Sequence, residues 1–378
     1  MKGIKMKNMA NLYRPILFFL FPILFFACSV PEKPVTKEEA MELSRKIERS
    51  IVSRNPILLD KIFDEEEFSK RVASGAGHSL NKDLLKGAME GIRKMHFGQQ
   101  IVQAVDSEGT YLLVKQYEKD NRQHLLFRLY RDGSVNYHDY ELVKREDAIK
   151  AIDVFIYMNG ERLSTTLTQA LLMVQDKMPD MSKTDLDRIN KIKTIKGLIA
   201  QRDYTKAREY YDEMPDDLKK QKLFQMIHIQ IGSGLGNDKY GEAMNEYRAL
   251  FPSDPNMYLM MVDAYVLDKD YPKALGAVNK LDSFINKDPF QDYYRGLMYK
   301  LMKDSLQSRA CFERLHAYMP QFSKGTIELI VSYAKTGDMD KAVQLMKQAK
   351  NDKTLSPETA QFLCDLHPDL KKAVEADK

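Results

Sequence analysis

Between residues 36 and 96 apolar positions recur every three or four residues, the period of a helix with one buried face. Thr36 with Glu39 three positions on forms a capping box, and Met41, Leu43, Ile47 and Ile51 follow at helical spacing. Asn55-Pro56 opens a second, short helix, since the first helical turn does not need the N–H that proline lacks. Asp64 caps a third helix, with the acids up to Glu67 in its first turn, and a fourth runs from Asn81 to His96. The period then falls to two. Extended runs are predicted over 99–106, 110–119, 122–131 and 134–143, separated by Ser107-Glu108-Gly109, Asp120-Asn121 and Asp132-Gly133. Asp-Asn and Asp-Gly accept the positive φ that tight hairpins demand, which predicts an antiparallel meander. A fifth run, 149–158, is apolar almost throughout and reads as a central strand. Helices packed on such a sheet make 36–180 an α+β domain.

Beyond about residue 181 the strand signals stop and the chain repeats itself. Ala207, Ala243, Ala274, Ala310 and Ala342 are spaced by 36, 31, 36 and 32 residues, a mean just under 34. The best copies read Asp270-Tyr271-Pro272-Lys273-Ala274 and Gly337-Asp338-Met339-Asp340-Lys341-Ala342. Tyr258-Met261-Val262-Tyr265 and Thr326-Leu329-Ile330-Tyr333 give the matching upstream helices, and prolines at 215, 252, 289, 320 and 357 punctuate the repeat ends. This stretch resembles tetratricopeptide repeats. The resemblance implies an all-α solenoid over 181–350, with the copy around Ala310 out of register and no copy carrying the family's Trp. Gly232 to Gly236 reads as a lengthened loop between two helices, and a helix from Ser356 to Val374 as the polar cap within 351–378. The order of elements before the repeats resembles nuclear-transport-factor-like and cystatin-like folds, a likeness of topology that carries no function.

Charge changes the picture at the amino terminus. Lys2, Lys5, Lys7 and Arg14 precede an apolar run, Ile16 to Ala27, too short to span a bilayer and broken by Pro22. Phe25-Phe26-Ala27-Cys28-Ser29 resembles a bacterial lipoprotein lipobox, which implies a signal peptide over 1–27, lipidation of Cys28, and a tether over 28–35. The two phenylalanines depart from that family's usual residues. The resemblance implies a protein anchored by lipid to a membrane of the bacterial envelope, most simply the outer membrane, with its soluble body in the periplasm or at the surface. With those four bases set aside, 58 basic residues fall to 54 against 54 acids. A neutral body lacks the basic footprint that nucleic acid requires. Cys311 and Cys364, the two other cysteines, lie in apolar helical patterns and provide no disulfide framework.

Catalytic and metal-binding patterns are weak. The seven histidines show no zinc spacing; His124 and His138 fall on neighbouring strands and could face one another. Neither Gly75-Ala76-Gly77-His78 nor Gly232-Ser233-Gly234-Leu235-Gly236 has the strand and partner residues of a phosphate loop. The expectation is therefore a non-enzymatic scaffold without cofactor or metal, binding a protein or peptide of the cell envelope and not nucleic acid. Alignment on the alanines places its partner site in the solenoid groove, at Leu259, Asp263 and Val266 in the third copy, Arg295, Tyr299 and Lys303 in the fourth, and Lys335 in the fifth. Two rival readings are a small-ligand or hydrolytic pocket in the α+β domain and a glycan-binding lipoprotein. The absence of Trp counts against the second, although 20 Tyr leave stacking open.

Overall fold

The computed structural model describes residues 33–376 except for 78–79, 95, 106–108, 132, 147, 178–182, 253–257 and 286. The leader and Cys28 lie outside the described residues. The chain begins with α1 (Lys37–Val52), capped by the reciprocal Thr36–Glu39 box, then α2 (Ile57–Asp60), α3 (Glu65–Gly75) and α4 (Lys82–Arg93). Asp64 and Asn81 accept hydrogen bonds from the first-turn amides of α3 and α4. Next comes α5 (Phe97–Val105), a helix where the period-two reading expects a strand. Ile101, Val102 and Val105 suit either period. The helix wins because Asp60 Oδ1 accepts from the Gly98 and Gln99 amides at 2.7 and 3.3 Å, and because Gly98 lies so close to the Pro56 carbonyl that no side chain would fit.

Five strands follow as an antiparallel meander in chain order: β1 (Thr110–Lys119), β2 (Arg122–Arg131), β3 (Ser134–Arg145), β4 (Ala148–Ile156) and the two-residue β5 (Glu161–Arg162). Asp120 and Asn121 both take positive φ, 52° and 59°, as a two-residue hairpin turn requires. One face of the sheet, with Leu125, Phe127, Tyr140 and Val154, packs on Ala40, Leu43 and Ile47 of α1. The opposite face carries Leu126, Tyr130, Val135 and Tyr137 into a different core, shared with Phe290, Phe312 and Phe322 from the repeats. His124 pairs in register with Glu141, and His138 with Phe127. The two histidines thus point to opposite faces and do not meet: His124 contacts Asp139 at 3.1 Å and His138 contacts the Tyr111 hydroxyl at 3.1 Å.

The rest of the chain is helical: α6 (Leu163–Lys177), α7 (Lys183–Ala200), α8 (Tyr204–Asp212), α9 (Asp216–Lys219), α10 (Lys222–Leu235), α11 (Asn237–Leu250), α12 (Tyr258–Leu267), α13 (Tyr271–Phe284), α14 (Gln291–Leu301), α15 (Ser305–Tyr318), α16 (Ser323–Lys335), α17 (Met339–Asn351), α18 (Pro357–Leu366) and α19 (Pro368–Ala376). Apart from α6, α9, α18 and α19 they pack as hairpins, α7 with α8, α10 with α11, α12 with α13, α14 with α15 and α16 with α17, in consecutive layers. The second helix of each hairpin is capped by Asp203, Gly236, Asp270, Asp304 and Asp338, spaced by 33, 34, 34 and 34 residues. At four of these caps the preceding residue adopts positive φ: Arg202, Lys269, Lys303 and Gly337.

This spacing corrects the register taken from the alanines. Four residues after the cap the fourth copy has Ser308, not Ala310; Ser308 is buried and donates to the Gly296 carbonyl at 2.9 Å. The copy is in step once Ser308 is read as its small residue. Gly232 and Gly234 likewise belong to α10 rather than to a loop. A side chain on Gly232 would meet the Lys239 backbone at 2.7 Å, and one on Gly234 would enter the Tyr204 ring, so these glycines let α8 and α11 close on α10. The carboxyl-terminal helix is two, broken at Pro368, because proline supplies no N–H to continue the first. Both Cys311 and Cys364 are buried free thiols.

Sheet and solenoid are joined by a buried ionic contact. Arg128 of β2 donates to both carboxylate oxygens of Asp288 at 2.7 Å, and neither side chain exceeds 1% exposure. Asp288 also accepts from the Tyr137 hydroxyl at 2.8 Å and the Phe290 amide at 3.0 Å, while the guanidinium lies 4.3 Å above the Phe290 ring. Residues from Lys33 onward therefore form one compact unit.

Candidate functional site

A cavity of about 580 Å³ lies where the inner faces of the first repeats meet the sheet. Its wall is built from the repeats: Lys196 of α7, Met226 and Ile229 of α10, Tyr240 of α11, Leu259 and Asp263 of α12, Leu281 of α13, and Gln291 and Tyr294 of α14. Two sheet turns roof it, Gly133 with the first residues of β3, Ser134 and Val135, and Met158 and Asn159 with Glu161 of β5. The roof is pinned by Tyr294, whose hydroxyl donates to the Gly133 carbonyl at 2.9 Å.

The repeat periodicity explains which side chains arrive there. Seven residues before the caps stand Lys196, Ile229, Asp263, Leu297 and Val331. The first three line the cavity, whereas Leu297 and Val331 pack on the core shared with the sheet. The groove is open over the early repeats and filled beside the late ones.

Asp263 is open to the cavity, and its Oδ2 accepts from the Tyr240 hydroxyl at 3.1 Å. The surrounding protein raises its carboxyl above the usual range, a shift the Tyr240 hydrogen bond opposes. Burial, and next the charge of Asp263, push the Tyr240 phenol well up, so it stays protonated as a donor. Gln291 is fully buried; its Nε2 donates to the Tyr137 hydroxyl at 2.6 Å, and its Oε1 receives no hydrogen bond. The Glu161 carboxylate at the rim accepts from Thr166 Oγ1 at 2.6 Å.

The other residues expected in the groove do not join Asp263 and Leu259. Arg295 is turned onto α13, donating to Asn279 at 2.8 Å and pairing with Asp282 at 2.5 Å and Asp292 at 3.2 Å. Half-buried Tyr299 is not part of the cavity wall; Lys303 is the positive-φ residue of its hairpin turn, and Lys335 is exposed in the last turn of α16. In the cap register the fourth-copy counterparts of Leu259 and Asp263 are Tyr293 and Leu297, two residues before those obtained by aligning on Ala310. Sequence reasoning missed Tyr240, Gln291 and Tyr294. The Asp caps carried the signal for Tyr294, which lies ten residues before Asp304.

A second polar cluster joins α3 and α6 to β2, β3 and β4. Arg71, Arg122 and Arg162 converge on Glu141 at 2.6, 2.7 and 2.8 Å, and Arg71 and Arg162 also reach buried Asp153 at 3.6 and 4.0 Å. Burial raises the Glu141 carboxyl, but hydrogen bonds from Arg71 and Arg122 and the neighbouring guanidinium charges outweigh it, holding it at about 2. Ser164 donates to Asp153 at 2.5 Å, so both acids are satisfied internally and the cluster ties α3 and α6 to the sheet. Among the described residues no group of three or more His, Cys, Asp or Glu is placed to hold a metal ion. No helix among them is long and apolar enough to cross a membrane.

Comparison with known families gives one match, to the PPR repeat, over residues 329–353. These residues are the end of α16 and the whole of α17, the fifth hairpin. No curated protein and no solved structure matches the chain. The chain thus carries a helical repeat of the PPR and tetratricopeptide kind behind an antiparallel α+β sheet, the architecture of a binding scaffold.

Proposed function

We propose that this chain is a lipid-anchored scaffold of the bacterial envelope that holds a segment of a protein partner in the cavity between its repeats and its sheet. The observation that carries the reading is the groove left open over α10 to α12 and closed above by two sheet turns. Its volume is within the roughly 300–1,000 Å³ range of ligand pockets, room for a short stretch of extended chain and not for a folded domain. The repeat match is also compatible with nucleic acid, but the neutral body and the acidic Asp263 at the wall disfavour a polyanion. Support for the anchor comes from the basic segment, the short apolar run and Ala27-Cys28.

A photo-crosslinking residue placed at Leu259 should capture the same partner as one at Ser233, both in the cavity wall. The same residue at Phe362, exposed on α18, should not. Equal capture at all three positions overturns the groove reading. Replacing Cys28 with Ala should release the protein from membranes and abolish labelling by a fatty-acid probe; membrane attachment that persists without label overturns the anchor.

A further inference from the structure

Among the polar groups that line the cavity, which include Lys196 and Lys222, Asp263 stands out. It has no basic partner among the described residues, only the Tyr240 hydroxyl. The two phenols are committed as donors, Tyr240 to Asp263 and Tyr294 to the Gly133 carbonyl, which leaves ring surface toward the cavity. A group that meets Asp263 must therefore bring a donor, and a neutral donor would leave the Asp263 charge uncompensated.

Resting on the groove reading above, we propose that the cavity recognises a single lysine or arginine side chain flanked by apolar residues in an extended segment of the partner. Its cationic head meets Asp263, and its methylene stem lies on Met226, Leu259 and Leu281. The Tyr240 and Tyr294 rings suit a cation and repel an anion. Lys196 and Lys222 line the side formed by α7 and α10, so a run of basic residues is disfavoured and one base among apolar neighbours fits best.

The probes are three fluorescein-labelled, amidated pentapeptides of alternating leucine and valine, with lysine, norleucine or glutamate at the centre. They are titrated by anisotropy against the full chain. The lysine peptide should bind roughly tenfold more tightly than the norleucine peptide, with the glutamate peptide weakest. Asp263→Asn should bring lysine and norleucine within about twofold, and Asp263→Lys should invert the order in favour of glutamate. Asp263 faces the cavity and makes one side-chain hydrogen bond, to Tyr240, so both variants should stay folded, which thermal melting checks. Leu259→Trp and, independently, Ser233→Trp should plug the cavity and weaken all three peptides. A lysine preference that survives in both Asp263 variants, or a parent that prefers glutamate, overturns the cation assignment while leaving the groove reading in place if the plugs still block. Binding indifferent to both plugs, or no binding of any peptide up to millimolar concentration, overturns the groove itself.

Discussion

Asp288→Asn removes one charge from the contact that joins sheet to solenoid and keeps the shape of the side chain. The single Asn oxygen can keep one of two bonds, because Tyr137 donates to Oδ2 at 2.8 Å and the Phe290 amide to Oδ1 at 3.0 Å; an NH2 group then replaces the other acceptor and adds to the loss. Nor can Asn neutralise Arg128, which is 1% exposed, donates through Nη1 to both Asp288 oxygens, and already has an Nε without a partner. Breaking a buried pair from one side costs about 3–5 kcal/mol, because the surviving charge is left in a medium that solvates it poorly. That is a large share of an ordinary domain's stability of roughly 5–15 kcal/mol. The assay is urea unfolding followed by far-UV circular dichroism, with hydrogen exchange on β2, β3 and the start of α14. The midpoint should fall, and protection should drop on both sides of the contact together. The control is the double variant Arg128→Met with Asp288→Leu, in which no charge is stranded. It should recover most of the loss, since hydrophobic replacement of a buried pair is often near neutral. A single variant that loses under about 1 kcal/mol, or a double variant no better than the single, would refute the argument.

Three further outcomes follow from packing and charge. Ala274→Leu should cost about 1–3 kcal/mol in chemical unfolding, since Ala274 is fully buried in α13, whereas Gly276→Ala in the same helix should stabilise by about 0.5–1 kcal/mol because open space surrounds that position. Gly296→Ala should lower the melting temperature, because its Cβ would lie 2.6 Å from the Phe312 ring, while Gly197→Ala, with nothing nearby, should not. The Glu141 carboxyl is held at about 2, below its unfolded value of roughly 4.3, so its contribution is present above that unfolded value and is lost as pH falls toward 2. Glu141→Gln should be less stable than the parent at pH 7, and the difference should shrink between pH 4 and pH 2; a constant difference across that window would count against the arginine cluster as its cause.

Features set by near neighbours were legible in the sequence. The Thr36–Glu39 box, the caps at Asp64 and Asn81 and the Asp120-Asn121 turn each depend on residues within a few positions. The segment 97–105 was not legible, since Ile101, Val102 and Val105 fit a strand or a helix. The deciding contacts come from Asp60 and Pro56, on the far side of two intervening helices. Both the meander and the solenoid were readable as separate patterns. Their shared core was not, because the continuous apolar run Leu125-Leu126-Phe127 in β2 reports that both faces are buried without reporting what buries Leu126, Arg128 and Tyr130.

The candidate site shows why choice of anchor matters in a degenerate repeat. A small buried residue tells where two helices cross, and serine serves as well as alanine, so Ala310 could stand in for Ser308 and displace a whole copy by two residues. An Asp at a cap is harder to mimic. It must follow a left-handed turn residue and accept from an amide three positions on, as Asp203, Asp270 and Asp304 do at 3.2, 3.2 and 3.1 Å. In that frame Asp263 stands out as the one acid at a position otherwise held by lysine, isoleucine, leucine and valine. Its prominence comes from the solenoid, but its isolation comes from the sheet. The turns at Gly133 and at Met158 and Asn159 close over it from more than a hundred residues earlier in the chain. An acid on an open groove wall is screened by water, whereas one in a cavity with a second wall of protein attracts a cation more strongly.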